Sequence, residues 1–237
     1  MKINSKDQVV ILAGGYGKRL GKLTRNKPKS LINFNGKPFI YYQIKYFQKR
    51  GIQNILVLLG HHGVKIKKQI LKYKFSSMNI EFSFDGRKNI GTGGAINKAK
   101  NKLFQNFFLI YGDTFPQINI LNLKKTHQIK KSQYTMIIYK NSNKYDKSNI
   151  VIKNNKIIKY SKLLSDAKYI DYGVSLVNKR IFSKSKSNSF DLKNIIDLLL
   201  KKNLLNYFIV KKRFYEIGSL DGIKQFKNFI NKKNEKC

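Results

Sequence analysis

A glycine-rich turn flanked by cations is the first feature of this sequence that could do chemistry. The apolar run Val9–Leu12 is short and β-branched, which predicts a buried strand. Directly after it come three glycines, which let backbone N–H groups approach an anion. Among the cations that follow at short range, Lys18, Arg19, Lys27 and Lys29 offer charge to the same region. A strand that leads into such a loop predicts a polyphosphate site.

This loop differs from the two commonest phosphate loops. A Walker A loop needs Ser or Thr after Gly-Lys, but Arg19 stands there, and the third glycine of a dinucleotide fingerprint is missing. The segments 12–20, 28–31 and 36–38 read LAGGYGKRL, PKSL and GKP. Together they resemble the signature of the sugar-1-phosphate nucleotidyltransferases. The resemblance implies catalytic roles for Arg19 and Lys29, and nucleotide binding by Leu12, Ala13, Gly14, Gly15 and Gly17.

A second glycine cluster opens a helix that we expect to run to about Leu103. Backbone without side chains at a helix start can pack flat against a nucleobase and bind its edge. The nucleotide-binding candidates here are Gly91, Thr92, Gly93 and Gly94. An ordinary glycine-rich turn is the alternative. The segment GTGGA also resembles the family branch that makes GDP-D-glycero-α-D-manno-heptose, a branch of lipopolysaccharide or capsule precursor synthesis.

Two carboxylates are the metal candidates. Asp113 follows the apolar run Phe107–Ile110, so we expect it at the carboxyl end of a buried strand, beside the first loop. In the resembled family an aspartate at this place holds Mg²⁺, and a second carboxylate arrives in a D-I-G element. That element contains Glu216 here. Mg²⁺ accepts either carboxylate, although the longer side chain shifts the ion. The resemblance therefore implies Mg²⁺ on Asp113 and Glu216.

The second half of the chain is expected to bind a sugar phosphate. The resemblance implies that Lys162, Asp171 and Gly173 do so. The sequence departs from the family pattern at Ser161, where the family has glutamate, and at Asp171 and Tyr172, where the family has asparagine and glycine. These departures leave the identity of the sugar open.

Alternating elements must position these residues. The sequence predicts helices over Phe39–Arg50 and Val64–Phe75 and strands over Asn54–Leu59 and Ile80–Phe84. From residue 134 onwards short alternating strands dominate, with a hairpin turn at Asn154-Asn155. This order predicts a Rossmann-like three-layer α/β/α fold with a mostly parallel mixed sheet and a small β-rich sugar-binding part. We expect one domain over 1–237, with a nucleotide half over about 8–130 and a sugar-phosphate half over about 131–237.

Composition sets the remaining expectations. There are 49 Lys and Arg against 12 Asp and Glu, a net charge of +37. The lysines are spread through every segment, so we expect no specific nucleic acid partner, although a nucleic-acid-binding protein is the alternative that would explain the charge. The only cysteine, Cys237, excludes an intrachain disulfide. Without an apolar signal region or membrane span we expect a cytoplasmic protein.

The predicted function is that of a Mg²⁺-dependent enzyme with two partners, a nucleoside triphosphate and a sugar 1-phosphate. GTP and a heptose 1-phosphate are the first expectations. Other bases (CTP, dTTP, UTP), a hexose 1-phosphate or a phosphocholine-like acceptor stay open, as does a homo-oligomer. A catalytically lapsed relative that only binds a nucleotide would explain the altered residues Ser161, Tyr172 and Glu216.

Overall fold

The computed structural model describes residues 7–15, 17, 20–21, 27–86, 88–183 and 187–234. The strands in this part of the chain are β1 (Gln8–Leu12), β2 (Asn33–Phe34), β3 (Lys37–Pro38), β4 (Asn54–Leu59), β5 (Asn79–Phe84), β6 (Asn106–Tyr111), β7 (Thr114–Phe115), β8 (Tyr134–Lys140), β9 (Ile150–Lys153), β10 (Lys156–Tyr160), β11 (Tyr169–Asn178), β12 (Asn206–Val210) and β13 (Tyr215–Glu216). The helices there are α1 (Phe39–Gln48), α2 (Gly63–Leu71), α3 (Gly91–Lys98), α4 (Ile120–Ile129), α5 (Leu192–Lys201) and α6 (Leu220–Asn234).

One mixed sheet forms the middle layer. The strands β6, β1, β4 and β5 run parallel and in that order. The long strand β11 adds to β6 in the antiparallel sense and then pairs with β8, which in turn pairs with β12 in parallel. The hairpin of β9 and β10 joins at the start of β11. The expected α/β fold with a mixed sheet is confirmed, and the halves on either side of residue 130 share this one sheet.

Helices cover both faces of the sheet because its central strand is apolar on both sides. In β1 the alternate residues Val9 and Ile11 face one core, which α1, α2, α4 and α6 complete. Val10 and Leu12 face the other core, which α3 and α5 complete. Every residue of β1 is buried. The carboxyl end of this strand therefore holds its loop at a fixed place.

The helix α4 and the hairpin of β2 and β3 are among the elements that have no counterpart in the sequence prediction. The helix α4 begins at the cap Asn119, whose side-chain oxygen accepts a hydrogen bond from the backbone N–H of Asn122 at 3.1 Å. The hairpin of β2 and β3 turns at Asn35 and Gly36, which both have positive φ. The predicted turn at Asn154-Asn155 is confirmed, with φ values of 48° and 55°.

A membrane-spanning helix is not among these elements. Within the residues that the structure describes, every helix falls short of the length and apolar character that crossing a bilayer requires.

Candidate active site

A cleft of about 250 Å³ opens at the carboxyl ends of β1, β4, β5 and β6. Ligands of open α/β sheets bind at this edge. Nine of the residues predicted from the sequence line it: Leu12, Ala13, Gly14, Gly15, Gly17, Lys29, Gly91, Thr92 and Asp113. Arg19, the other predicted catalytic residue, lies outside the described residues.

The first glycine loop is held close to the neighbouring strand. The backbone N–H of Ala13 donates to the Leu58 carbonyl oxygen at 2.9 Å, which extends the pairing of β1 with β4 by one residue. A Cβ atom built on Gly14 would lie 3.1 Å from the backbone nitrogen of Gly60. The loop can therefore pack this tightly only with a very small residue at position 14.

The turn that carries Asp113 is fixed from three sides. The backbone N–H of Gly112 donates to Leu12 at 2.9 Å, and the backbone N–H of Ile217 donates to the Asp113 carbonyl oxygen at 2.9 Å. From α1, the buried amide nitrogen of Gln43 donates to the carbonyl oxygens of Tyr111 and Thr114, at 2.9 and 2.6 Å. Gln43 thus bridges the residues on either side of the Gly112-Asp113 pair.

Lys29 and Asp113 meet inside the cleft. The Lys29 ammonium nitrogen lies 3.2 Å from Asp113 Oδ2, and the two side chains are 15% and 25% exposed. At this depth the pair is screened less than a surface ion pair. The sequence placed these residues in one site, and the structure brings a cation and a carboxylate together there.

Glu216 lies on the strand beside the Asp113 turn. The short strands β7 and β13 pair antiparallel, with Glu216 opposite Thr114, the residue after Asp113. This ladder places Glu216 beside the turn that carries Asp113, although Glu216 does not line the cleft itself. Among the described residues no group of three or more His, Cys, Asp or Glu side chains is arranged to hold a metal. Two carboxylates completed by substrate phosphates are a donor set that Mg²⁺ accepts.

The second glycine cluster divides into two parts. Gly91 and Thr92 line the cleft, whereas Gly93 and Gly94 face away from it. A Cβ atom built on Gly93 would collide with the Phe190 ring, and one built on Gly94 would lie 2.6 Å from the Asn188 carbonyl oxygen. These two glycines let the start of α3 pack against the segment before α5. Their predicted contact with the nucleotide stays a prediction.

None of the three predicted sugar-phosphate residues lines this cleft. Asp171 is partly buried, and its carboxylate accepts hydrogen bonds from the Tyr160 hydroxyl at 2.9 Å and from the Gly173 backbone N–H at 2.8 Å. Burial raises the pKa of this carboxyl above its usual value, and the charge of Lys162 offsets only part of that rise. A Cβ atom on Gly173 would meet Thr114 Oγ1 at 2.6 Å. Gly173 therefore serves packing, and Lys162 is exposed in the turn after β10.

Five further residues with polar side chains line the cleft and were missed by the sequence analysis as site residues: Ser30, Asp85, Asn89, Tyr111 and Asp191. Asp85 follows the predicted strand β5, so the argument that located Asp113 also applied to it. Asp191 is the N-cap residue of α5, and its carboxylate also accepts a long hydrogen bond of 3.4 Å from the Thr92 N–H. Burial holds the pKa of the Tyr111 hydroxyl well above its usual range.

Comparison with known proteins identifies the class. The model of the nucleotidyl transferase family matches residues 8–233. The chain belongs to the nucleotidyl transferase family, and it is an enzyme of the nucleotidyltransferase type.

Individual relatives carry different substrates in their names. The D-glycero-alpha-D-manno-heptose 1-phosphate guanylyltransferase of Aneurinibacillus thermoaerophilus is 28% identical over 220 residues, which cover 90% of this chain and 94% of that protein. The probable glucose-1-phosphate cytidylyltransferase of Bacillus subtilis is 32% identical over 149 residues, which cover 54% of this chain and 59% of that protein. The crystal structure of HddC from Yersinia pseudotuberculosis complexed with GMP-PN has the same fold, with a TM-score of 0.82 at 23% identity, covering 94% of this chain and 99% of that one.

Proposed function

We propose that this enzyme joins a nucleoside triphosphate to a sugar 1-phosphate, with Mg²⁺, and releases pyrophosphate and a nucleoside diphosphate sugar. The observation that carries the proposal is the cleft in which the glycine loop after β1 meets the pair of Lys29 and Asp113. Backbone N–H groups and an ammonium on one side, with a carboxylate for a cation on the other, suit a polyphosphate.

In this reaction an oxygen of the sugar phosphate attacks the α-phosphorus of the triphosphate in line. The bond from the α-phosphorus to its bridging oxygen breaks, and pyrophosphate leaves with that electron pair. The attacking oxygen is already an anion, so the protein needs no nucleophile of its own. Its contribution is to position the two substrates and to stabilise charge. Lys29 neutralises the reacting phosphoryl groups, and the guanidinium of Arg19 binds phosphate oxygens through its fork of donors.

Asp113 and Glu216 are the residues that would hold Mg²⁺. When bound, the ion supplies charge neutralisation on the triphosphate. The protein would contribute by holding the two carboxylates in place, and two features of the structure do this. Gln43 holds the Asp113 turn from α1, and the pairing of β7 with β13 holds Glu216 beside that turn.

GTP and D-glycero-D-manno-heptose 1-phosphate are the substrates we propose first. The support is the full-length similarity to the Aneurinibacillus guanylyltransferase and the segment GTGGA at the start of α3. CTP, dTTP or UTP, and a hexose 1-phosphate or phosphocholine, are the alternatives, because the Bacillus relative is named for glucose 1-phosphate and CTP. We propose that Lys162 and Asp171 serve the acceptor, and that the reaction takes place in the cytoplasm.

The test is a scan of pyrophosphate release with Mg²⁺, in which four nucleoside triphosphates are paired with a panel of sugar 1-phosphates. We expect Lys29→Met and Asp113→Asn each to lower kcat by about a hundredfold or more, since each removes a charge placed at the reacting phosphates. The matched controls are Lys159→Met and Asp166→Asn. That ion pair has the same residue types at 3.5 Å, but both side chains are 53% exposed.

Glu216→Gln separates the metal role from a general loss of structure. We expect this variant to need more Mg²⁺ for half-maximal rate while its melting temperature changes little. Unchanged Mg²⁺ dependence would remove Glu216 from the metal site, and turnover of the wild-type level in the Asp113→Asn variant would overturn the proposed mechanism.

A further inference from the structure

A buried tyrosine connects the strand of Asp171 to the ladder that carries Glu216. Tyr172 lies on β11 between Asp171 and Gly173, and its side chain is completely buried. Ile170 and Tyr172 both face the core that α1 and α6 complete, so Asp171 between them faces the other side of the strand. The pairing of β11 with β8 shifts its register directly after Asp171. This part of β11 therefore depends on contacts outside the main sheet.

The hydroxyl and the ring of Tyr172 supply such contacts. The hydroxyl oxygen accepts a hydrogen bond from the backbone N–H of Gln117, two residues after β7, at 2.8 Å. The ring packs on Phe214, directly before β13, with ring centroids 4.9 Å apart. The Gln117 side-chain amide in turn donates to the Arg213 carbonyl oxygen at 2.9 Å. These four residues, here called the Tyr172 cluster, join β11 to the segment after β7 and to the segment before β13.

The Tyr172 cluster holds one end of the ladder beside the Asp113 turn. The strands β7 and β13 have two residues each, with Glu216 opposite Thr114. A two-stranded ladder this short has little stability of its own, so the contacts at its ends decide where it lies. At one end the Ile217 N–H donates to the Asp113 carbonyl oxygen at 2.9 Å. At the other end Gln117 and its partners fix it to β11.

We propose that Tyr172 is a positioning residue that holds the acceptor side of the site, on β11, at a fixed place relative to Asp113 and Glu216. In-line attack requires this, because a displacement of about 1 Å between reacting groups can cost about a hundredfold in rate. Tyr172 is buried behind the strand and acts through its neighbours. The inference rests on the proposed function, in which Asp171 serves the acceptor and the two carboxylates hold Mg²⁺.

The experiment is a double-mutant cycle on pyrophosphate release at saturating substrates. Tyr172→Phe keeps the ring on Phe214 but removes the hydroxyl, and Gln117→Met removes the hydrogen bond to the Arg213 carbonyl oxygen. Each variant should lower kcat about tenfold, while the KM of the triphosphate changes less than about twofold, because the glycine loop is unchanged. Both changes disrupt the same cluster, so the double variant should also be about tenfold slower, and not about a hundredfold.

Tyr46→Phe is the matched control. Tyr46 is buried on α1, and its hydroxyl accepts a hydrogen bond from the next backbone N–H along the chain, that of Ile118, at 2.9 Å. This variant loses the same kind of hydrogen bond without a link to β11, so its kcat per folded molecule should stay within about twofold of the wild-type value. Equal changes of kcat in Tyr46→Phe and Tyr172→Phe, or independent losses that multiply in the double variant, would overturn the inference.

Hydrogen exchange of the substrate-free protein tests the Tyr172 cluster without activity. In Tyr172→Phe the backbone amides of segment 213–217 should exchange about tenfold faster, whereas in Tyr46→Phe they should keep the wild-type rate. Unchanged exchange of this segment in Tyr172→Phe would overturn the inference. Wild-type protein that forms no nucleotide sugar would overturn the proposed function, and the exchange rates would then decide alone whether Tyr172 holds the ladder.

Discussion

The glutamine that holds the Asp113 turn offers a quantitative test of how the site is built. Gln43→Met keeps the length of the side chain in α1 but removes the two hydrogen bonds to the carbonyl oxygens of Tyr111 and Thr114. Each bond contributes about 1 kcal/mol net, and orphaned buried carbonyls add to the cost. The Gln43 amide oxygen is itself buried without a partner among the described residues, so its removal offsets about 1 kcal/mol. We expect the free energy of unfolding to fall by about 2 kcal/mol.

The same substitution should also change the Mg²⁺ dependence of the reaction, beyond what the loss of folded protein explains. Loss of the clamp loosens the turn, so the Mg²⁺ concentration for half-maximal rate should rise in protein that is still folded. Urea denaturation and a Mg²⁺ titration of pyrophosphate release measure the two effects. The control is Gln48→Met on the same helix, because the amide of Gln48 donates to Ser76 in an exposed position, at 2.8 Å. If Gln43→Met and Gln48→Met behaved alike in both assays, the clamp would have no part in positioning Asp113.

Three further predictions concern stability. His127 is buried beside Thr135, and burial lowers its pKa from 6.5 to about 4. The free energy of unfolding should therefore fall by about 3 kcal/mol as the pH falls from 6.5 to about 4. Denaturation at several pH values should show that His127→Gln loses this part of the acid sensitivity. Because burial raises the pKa of Asp85, Asp85→Asn should stabilise the nucleotide-free protein at neutral pH. Thermal melting should show that this gain in stability shrinks as the pH falls towards 3.8. A gain that did not depend on pH would contradict burial of the charge as its cause. Gly173 has a φ of 74°, and a Cβ atom built on it would collide with Thr114. Gly173→Ala should therefore lower the free energy of unfolding, measured by urea denaturation, by about 1–3 kcal/mol. An unchanged denaturation midpoint would refute the packing role.

The parts of the fold that the sequence predicted are those with strong local signals. The strand β1 is apolar on both faces and ends in glycines, so its run of residues predicts both a buried strand and the loop after it. Asp113 was located by the rule that side chains after parallel strands meet at one edge of the sheet. The helix α4 was missed because its buried side is narrow, consisting of Ile120, Leu123 and His127. A weak apolar stripe gives little periodicity to detect.

The rest of the site depends on contacts between residues far apart in the chain. Asp171 was predicted to serve the sugar phosphate, but nothing local to it shows that Tyr160 would donate to its carboxylate. Asp85 could have been found from the sequence, since it follows an alternating strand in a chain with only 12 acidic residues. The partial burial of its side chain could not, because that requires knowledge of its neighbours in space.

The central claim is that this cleft transfers a nucleotide to a sugar 1-phosphate. The most direct measurement is mass spectrometry of the product from GTP and D-glycero-D-manno-heptose 1-phosphate with Mg²⁺, together with pyrophosphate release. We predict the mass of the GDP-linked sugar and one pyrophosphate for each product formed, both lost in Asp113→Asn. Protein that binds GTP but forms no nucleotide sugar with any acceptor in the panel would contradict the account.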